Sequence, residues 1–167
     1  MPKWTIDPDH SVAAFSIRHM MITNVHGQFN KVTGVIQFDP ADTSGAKFEL
    51  EIDVSGILTG MGKRDDHLKS ADFFDIETHP KITFNSTSLG KSGDLTVHGI
   101  TRPVTLDVSF SGPLKSPFGE TSMGFTGRTV INREDFGMTW NEPVENGGFM
   151  VGKDVELSVD IEADLAD

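Results

Sequence analysis

The chain has no cysteine and no long apolar run. The lack of cysteine excludes disulfide bonds, thiolate metal sites and cysteine nucleophiles. No apolar stretch approaches the roughly 20 residues of a transmembrane helix, and the first residues lack the apolar centre of a signal peptide. We therefore expect a protein that does not span the membrane and resides in the cytoplasm, or in the periplasm if a signal peptide has been removed.

Positive charge is scarce as well. The 167 residues include 14 Lys and Arg against 25 Asp and Glu, which gives a formal net charge of −11 at pH 7. Such a chain repels the phosphate backbone of nucleic acids rather than recruiting it. Nucleic acid is therefore excluded as an expected partner.

Sequence motifs of catalysis are missing too. The chain contains no GxSxG, no HExxH and no glycine-rich loop between a strand and a helix. Asp65 and Asp66 are adjacent in sequence, which makes them poor candidates for a general acid and base pair. We predict no catalytic residues, no cofactor and no enzymatic activity.

The chain does have alternating apolar and polar residues, over about eight segments. The clearest example is the run of Phe48, Leu50, Ile52 and Val54, whose intervening residues are Lys47, Glu49, Glu51 and Asp53. A period of two with one charged face is typical of antiparallel strands that have one face in water. The pattern predicts a single all-β domain over residues 1–167, either a barrel or a sandwich.

Two breaks in the alternation carry specific predictions. Residues 60–74 predict a short helix lying across one barrel mouth, on which the charged residues form a solvated face: Lys63, Arg64, Asp65, Asp66 and Lys69. The stretch LTVHGITRPVTLDVSF predicts two strands separated by residues 99–103, because Pro103 cannot sit in the middle of a ladder. Residues 88–94 and 111–122 predict a turn and a long loop.

Glycines within the predicted strands indicate local irregularity. Gly27 and Gly34 lie on the apolar faces of a predicted hairpin. A glycine at such a position marks a bend, a bulge or the close approach of another group. Curvature of a barrel is the first explanation that we expect to hold.

The histidines leave one alternative open. Alternation places His19 on the inward face with Phe15 and Ile17. Strands of a barrel could bring His19, His26 and His98 together as metal ligands, which would make the protein a metal-dependent enzyme acting on a small apolar substrate. The preferred expectation is that no metal is bound.

Four segments together resemble the YceI-like family: WTIDPDHSVAAFSIRHM, KRDDHLKSADFFDIETHPKITF, LTVHGITRPVTLDV and INREDFGMTW. This resemblance covers nearly the whole chain. It implies an eight-stranded antiparallel, lipocalin-like barrel with one or two short helices, often a homodimer. It also implies that the interior binds polyisoprenoids or other long-chain amphiphiles, and that some members are exported to the periplasm.

We therefore predict a non-enzymatic protein that binds, stores or transports a long-chain isoprenoid or lipid ligand. The predicted barrel lining consists of Phe15, Ile17, His19, Phe29, Ile36, Phe38, Leu50, Ile52, Phe73, Phe74, Phe84, Leu106, Val108, Phe125 and Leu157. His19, His98 or Arg18 near a rim would orient a polar headgroup. The remaining alternative is a filled barrel that serves as a stress-associated interaction module.

Overall fold

The computed structural model describes residues 1–88 and 92–167, most of which belong to one antiparallel sheet. The predicted turn over residues 88–94 falls partly on residues 89–91, which lie outside the described residues. The described residues form twelve strands: β1 (Lys3–Ile6), β2 (Val12–His19), β3 (Thr23–Phe29), β4 (Val32–Asp39), β5 (Asp42–Asp53), β6 (Ile57–Leu58), β7 (Lys81–Ser86), β8 (Ser92–Val97), β9 (Ile100–Thr105), β10 (Asp107–Lys115), β11 (Thr121–Asn132) and β12 (Val151–Leu165).

Antiparallel ladders connect these strands in the order β6-β3-β2-β12-β1-β4-β5-β7-β8-β9, and β11 pairs with both β10 and β12. The long strand β12 pairs with β1 and β2 on one side and with β11 on the other. The all-β, antiparallel and lipocalin-like architecture is confirmed. There are more strands than the expected eight because short irregular segments divide long ones: a 3₁₀ turn separates β1 from β2, and Leu106 separates β9 from β10.

Helical structure is short throughout the described residues. The predicted helix in residues 60–74 is confirmed as α1 (Gly62–Lys69). Four 3₁₀ turns accompany it: Pro8–His10, Val54–Gly56, Arg133–Phe136 and Glu145–Gly147. Asn132 caps the third turn, because its side-chain oxygen accepts a hydrogen bond from the amide of Glu134 at 2.9 Å. Within residues 1–88 and 92–167, no helix combines the length and apolar composition needed to cross a bilayer.

The predicted break between the two strands of residues 95–110 is displaced. The chain turns at His98 and Gly99, and Pro103 lies inside β9 opposite Asp94. Proline is tolerated there because β9 pairs with β8 alone among the described strands, so its other edge carries no ladder.

The long loop that was predicted over residues 111–122 is wrong for most of its length. Strand β10 continues to Lys115 and β11 begins at Thr121, so the turn between them is short. The ladder shifts register between Ser111 and Leu114, which is how the strand accommodates its Gly-Pro pair.

Large side chains fill the interior at one end of the sheet. Phe38 is fully buried, and its ring centroid lies 4.7 Å from that of Phe110 and 5.1 Å from that of Phe125. The indole nitrogen of Trp4 donates a buried hydrogen bond to the Phe38 carbonyl at 2.9 Å. Ile36, Met123 and Ala163 complete the tightly packed end.

Candidate functional site

The opposite end of the interior is hollow. A cavity of about 300 Å³ lies between strands on opposite sides of the sheet, with α1 beside it. Along β11, Met123 and Phe125 belong to the filled core, whereas Gly127, Thr129 and Ile131 border the cavity. The same change occurs along β12, where Ile161 and Ala163 are core residues while Val155, Leu157 and Val159 face the empty space.

Most of the predicted lining residues border this cavity. They are Phe15, Ile17, His19, Phe29, Leu50, Ile52, Phe73, Phe74, Phe84, Leu106 and Leu157. Val108 and Phe125 instead border a second cavity of about 30 Å³, which also touches Leu50, Phe84 and Leu106. Ile36 and Phe38 contribute to neither of these cavities, because both side chains are fully buried in the packed end.

An aromatic group lies at the helical side of the cavity. The His67 ring centroid is 4.8 Å from that of Trp140 and 5.1 Å from that of Phe73, and all three side chains border the cavity. Nε2 of His67 also contacts Oδ2 of Asp72 at 2.8 Å. These contacts join α1 to the loop that precedes β12.

The ionisable side chains that border the cavity are all basic. They are Arg18, His19, Arg64, His67 and Arg133, and no aspartate or glutamate is found among the described residues that line it. This is the reverse of the overall balance of a chain with a formal net charge of −11. Arg18 is the one exposed residue among these five, and its Nη1 donates to Oδ1 of Asn24 at 3.4 Å at the end of β2.

Arg133 is the most deeply buried of these groups, with 2% of its surface exposed. Its Nε donates to the Gly152 carbonyl at 2.7 Å and its Nη1 to the Met138 carbonyl at 2.6 Å. Nη2 donates to the Val151 carbonyl at 3.4 Å. Burial lowers the pKa of the Arg133 guanidinium, and the nearby charge of Glu134 partly offsets this effect.

Arg64 is held in place by the segment that precedes α1. Its Nε donates to Oγ1 of Thr59 at 2.7 Å and its Nη2 to the Thr59 carbonyl at 2.6 Å. Asp65 lies on the other side of this contact, where its Oδ1 accepts from the Thr59 amide at 3.0 Å. The two neighbouring residues therefore fix the first turn of α1 against the strand end.

The sequence and the fold place this chain among known proteins. The model of the YceI-like domain matches residues 4–163. The chain belongs to the YceI-like family. It is 39% identical to a UPF0312 protein of Staphylococcus aureus strain MSSA476, over 171 residues and all of both chains.

Solved structures share the fold of this YceI-like protein. The Campylobacter jejuni YceI protein has a TM-score of 0.76 at 29% identity, covering 90% of each chain. Burkholderia cenocepacia BcnA has a TM-score of 0.81 at 23% identity, covering 94% of this chain and 98% of its own. A polyisoprenoid binding domain from Saccharophagus degradans has a TM-score of 0.76 at 13% identity, covering 99% and 100%.

The three histidines of the alternative metal site do not come together in this YceI-like protein. His19 borders the cavity, whereas His26 is exposed and pairs with Ser16, on the opposite face of the sheet. His98 packs against His79 in the turn between β8 and β9, with 5.0 Å between ring centroids. Of the three residues suggested as headgroup contacts, His19 and Arg18 border the cavity and His98 does not.

Two predictions about charged residues are corrected. Arg64 and Asp65 do not belong to a solvated face, because Thr59 binds both side chains and Asp65 is buried. The sequence places Arg133 next to Glu134 and Asp135, which favours a surface or corner ion pair over a catalytic cluster. In the structure Arg133 takes part in none of the ion pairs among the described residues and bonds to backbone carbonyls instead.

Sequence reasoning missed several cavity residues of this YceI-like protein. Met138, Trp140 and Met150 lie in the irregular segment before β12, where no periodicity marks a buried face. One signal was available in the sequence. Leu68 is an isolated apolar residue among charged ones, which indicates that one face of α1 packs toward the interior. With the expected helical period, Arg64 lies one turn before Leu68 and therefore on the same face.

Proposed function

We propose that this protein binds, stores or carries a long-chain apolar molecule, such as a polyisoprenoid or a fatty-acid-like amphiphile, in the interior of its sheet. The observation that carries this proposal is the apolar cavity of about 300 Å³. Ligand pockets in proteins commonly range from about 300 to 1,000 Å³. The family assignment and the fold of the Saccharophagus degradans polyisoprenoid binding domain are compatible with such a cargo.

Burial of the ligand's hydrocarbon chain in the cavity provides the affinity. Each methylene that moves from water to an apolar environment contributes about 0.8 kcal/mol. A ligand that buries about ten methylenes therefore gains about 8 kcal/mol, which is on the scale of a micromolar Kd before the costs of association are subtracted. Phe15, Ile52 and Leu157 are among the residues that provide this apolar contact.

The basic residues indicate that the polar end of the cargo is negatively charged. Arg18, Arg64 and Arg133 border the cavity, and no aspartate or glutamate is found in its described lining. The carboxylate of Asp65 shares Thr59 with Arg64 but does not line the cavity. In a site that is mostly apolar, an arginine stabilises a negative charge more strongly than it would in water. We therefore assign the polar end of the cargo to an anionic group, a carboxylate or a phosphate, located near these arginines.

Mass spectrometry provides the direct test. An organic extract of the natively purified protein is analysed beside the intact protein under native conditions. A long-chain species present in proportion to the protein is expected, and its mass identifies the cargo class. Absence of any such species, together with no uptake of added prenyl chains or fatty acids, would favour a filled interaction module and refute the proposal.

Two neighbouring residues on β11 allow a matched pair of variants. Thr129 borders the cavity, whereas the next residue, Val130, is 59% exposed. The variant Thr129→Trp places a large side chain into the cavity and is expected to reduce uptake of a fluorescent fatty acid by about tenfold or more, since it removes the space for several methylenes. Val130→Trp adds the same group outside and should leave uptake unchanged. If both variants take up the fatty acid equally, the ligand binds outside this cavity.

A further inference from the structure

Asp75, His79 and His98 form a cluster outside the cavity lining. Each offers one ligand atom, and these atoms all lie within 4.8 Å of one another. All three residues are partly buried, so the cluster is sheltered but accessible from solvent. Asp75 and His79 lie in the segment between α1 and β7, while His98 comes from the turn between β8 and β9.

The hydrogen bond of His98 prepares its ring for coordination. Nδ1 of His98 lies 3.0 Å from the Phe136 carbonyl oxygen, which can only accept a hydrogen bond. Nδ1 therefore carries the proton, and Nε2 of the neutral ring keeps its lone pair. Histidines that bind metals commonly use this arrangement, in which the other ring nitrogen donates to a carbonyl.

Two residues of the cluster have strained backbone conformations. Asp75 has φ 49° and His98 has φ 54°, which are left-handed conformations that side chains other than glycine rarely adopt. The Asp75 carbonyl accepts a hydrogen bond from the His79 amide at 2.8 Å, so the two residues lie one turn apart. Strain of this kind often occurs at functional sites, where the surrounding structure maintains it.

We propose that Asp75, His79 and His98 bind a divalent transition-metal ion of the zinc class. Two imidazoles and one carboxylate are a donor set that such ions accept, and they leave at least one coordination position open for water or a small ligand. Because zinc–nitrogen bonds are about 2.0 to 2.1 Å long, metal binding is expected to draw the ligand atoms closer together than the present 4.8 Å limit.

A metal ion here would join segments that border the cavity. Phe74 precedes Asp75, Val97 precedes His98, and both line the cavity wall. Through its Nδ1 hydrogen bond, His98 also contacts the 3₁₀ turn that begins with Arg133. Metal binding is therefore expected to stabilise this wall without placing the ion inside the cavity.

A second group provides the control. Asp7, His10 and Glu162 also offer ligand atoms within 4.8 Å of one another. There, however, Nδ1 of His10 already bonds Oδ2 of Asp7 at 2.6 Å, and 64% of the His10 side chain is exposed. His10→Gln is thus a matched substitution of a histidine in a cluster that we do not assign to metal.

The test uses tag-free protein that has been treated with a chelator and titrated with Zn²⁺ by calorimetry. Wild type and His10→Gln are expected to bind one Zn²⁺ per chain with similar affinity, and Zn²⁺ should raise their unfolding temperatures. Affinity should fall about 10- to 100-fold or more in His79→Gln and in Asp75→Asn. All variants are compared by circular dichroism, so that a loss of fold is recognised.

Three results would overturn the assignment. The wild-type protein could fail to bind Zn²⁺, His79→Gln could bind it as tightly as wild type does, or the affinity could be lost in His10→Gln instead. If His98→Gln fails to fold because its contact with Phe136 is lost, His79→Gln and Asp75→Asn still decide the outcome. Replacement by Co²⁺ gives an independent readout, since four- or five-coordinate Co²⁺ absorbs visible light much more strongly than the aqueous ion, and this absorption should be lost in His79→Gln.

Discussion

The ring of Phe15 lies against the backbone of Gly27 on the neighbouring strand. The two residues pair directly in the ladder between β2 and β3, and a β-carbon at residue 27 would lie only 2.3 Å from Cζ of Phe15. Close approach of a side chain, rather than barrel curvature alone, therefore accounts for glycine at this position. Since Phe15 borders the cavity, Gly27 helps to determine how much space the ligand has.

Gly27→Ala is expected to displace the Phe15 ring and to weaken ligand uptake. Overpacking of this kind costs about 1 to 3 kcal/mol of unfolding free energy. Urea unfolding and titration with a fluorescent fatty acid measure the two effects. Gly62→Ala is the control, because no atom lies within 4 Å of a β-carbon there. If Gly27→Ala matches wild type in both measurements, the ring has free space to move and the interpretation is wrong.

Phe38 should matter for stability and not for ligand binding. Its fully buried ring packs against Phe110 and Phe125, so Phe38→Ala is expected to lower the unfolding free energy by about 3 to 5 kcal/mol. Phe15→Ala removes the same group beside the existing cavity, where fewer contacts are lost, and should cost less. Ligand uptake, measured on folded protein, should survive only in Phe38→Ala. If Phe15→Ala is less stable than Phe38→Ala, the distinction between a filled end around Phe38 and a hollow end around Phe15 is wrong.

Arg18 should favour acidic cargo over neutral cargo. It is exposed and borders the cavity, so Arg18→Gln is expected to weaken binding of a fatty acid by about 2- to 5-fold, the scale of an exposed ion pair. Binding of the fatty alcohol of equal length should not change. Arg128→Gln is the control, because Arg128 is exposed and outside the cavity lining. An equal loss for acid and alcohol would argue against a role for charge.

The pair of Asp7 and His10 makes stability depend on pH. The hydrogen bond from His10 lowers the pKa of Asp7 below 3.8, and the same bond raises the pKa of His10 above 6.5. The contribution of His10 is fully present below pH 6.5 and is lost as the pH rises through its raised pKa. The contribution of Asp7 is present above pH 3.8 and is lost as the pH falls through its lowered pKa.

His10→Gln should therefore be less stable than wild type at a pH between these two values. Urea unfolding at pH 5.5 and at pH 9 measures the difference, which is expected to disappear at the higher pH. A difference that is the same at both values would show that packing of His10, rather than its charge, is responsible.

The homodimer implied by the family resemblance remains a prediction. Leu114 is 74% exposed and Phe118 is 91% exposed, and both lie at the end of the hairpin of β10 and β11. We expect light scattering to give about twice the chain mass of 18.2 kDa. The double variant Leu114→Asp and Phe118→Asp should then be monomeric, whereas Val130→Asp, also exposed, should remain dimeric. A monomeric wild type would refute the prediction.

Alternation in the sequence was sufficient for most of the strands and for the apolar lining. Phe15, Ile17, Leu50, Ile52 and Leu157 were assigned to the interior from a period of two, and the structure places them beside the cavity. Prediction from alternation failed where contacts between distant segments, rather than the local sequence, determine the structure. Pro103 lies within a strand because that strand has an unpaired edge, which no local pattern reveals.

Periodicity and composition are sufficient to predict the all-β antiparallel fold, the inward face of the clearly alternating strands and the short helix α1. That the interior is filled around Phe38 and hollow around Phe15 is seen in the folded chain and not in its pattern. The two regions have the same sequence pattern, and packing depends on which side chains meet from distant strands. For the same reason, the structure alone placed Arg64 and Arg133 beside the cavity, because their partners are backbone groups brought near by the fold.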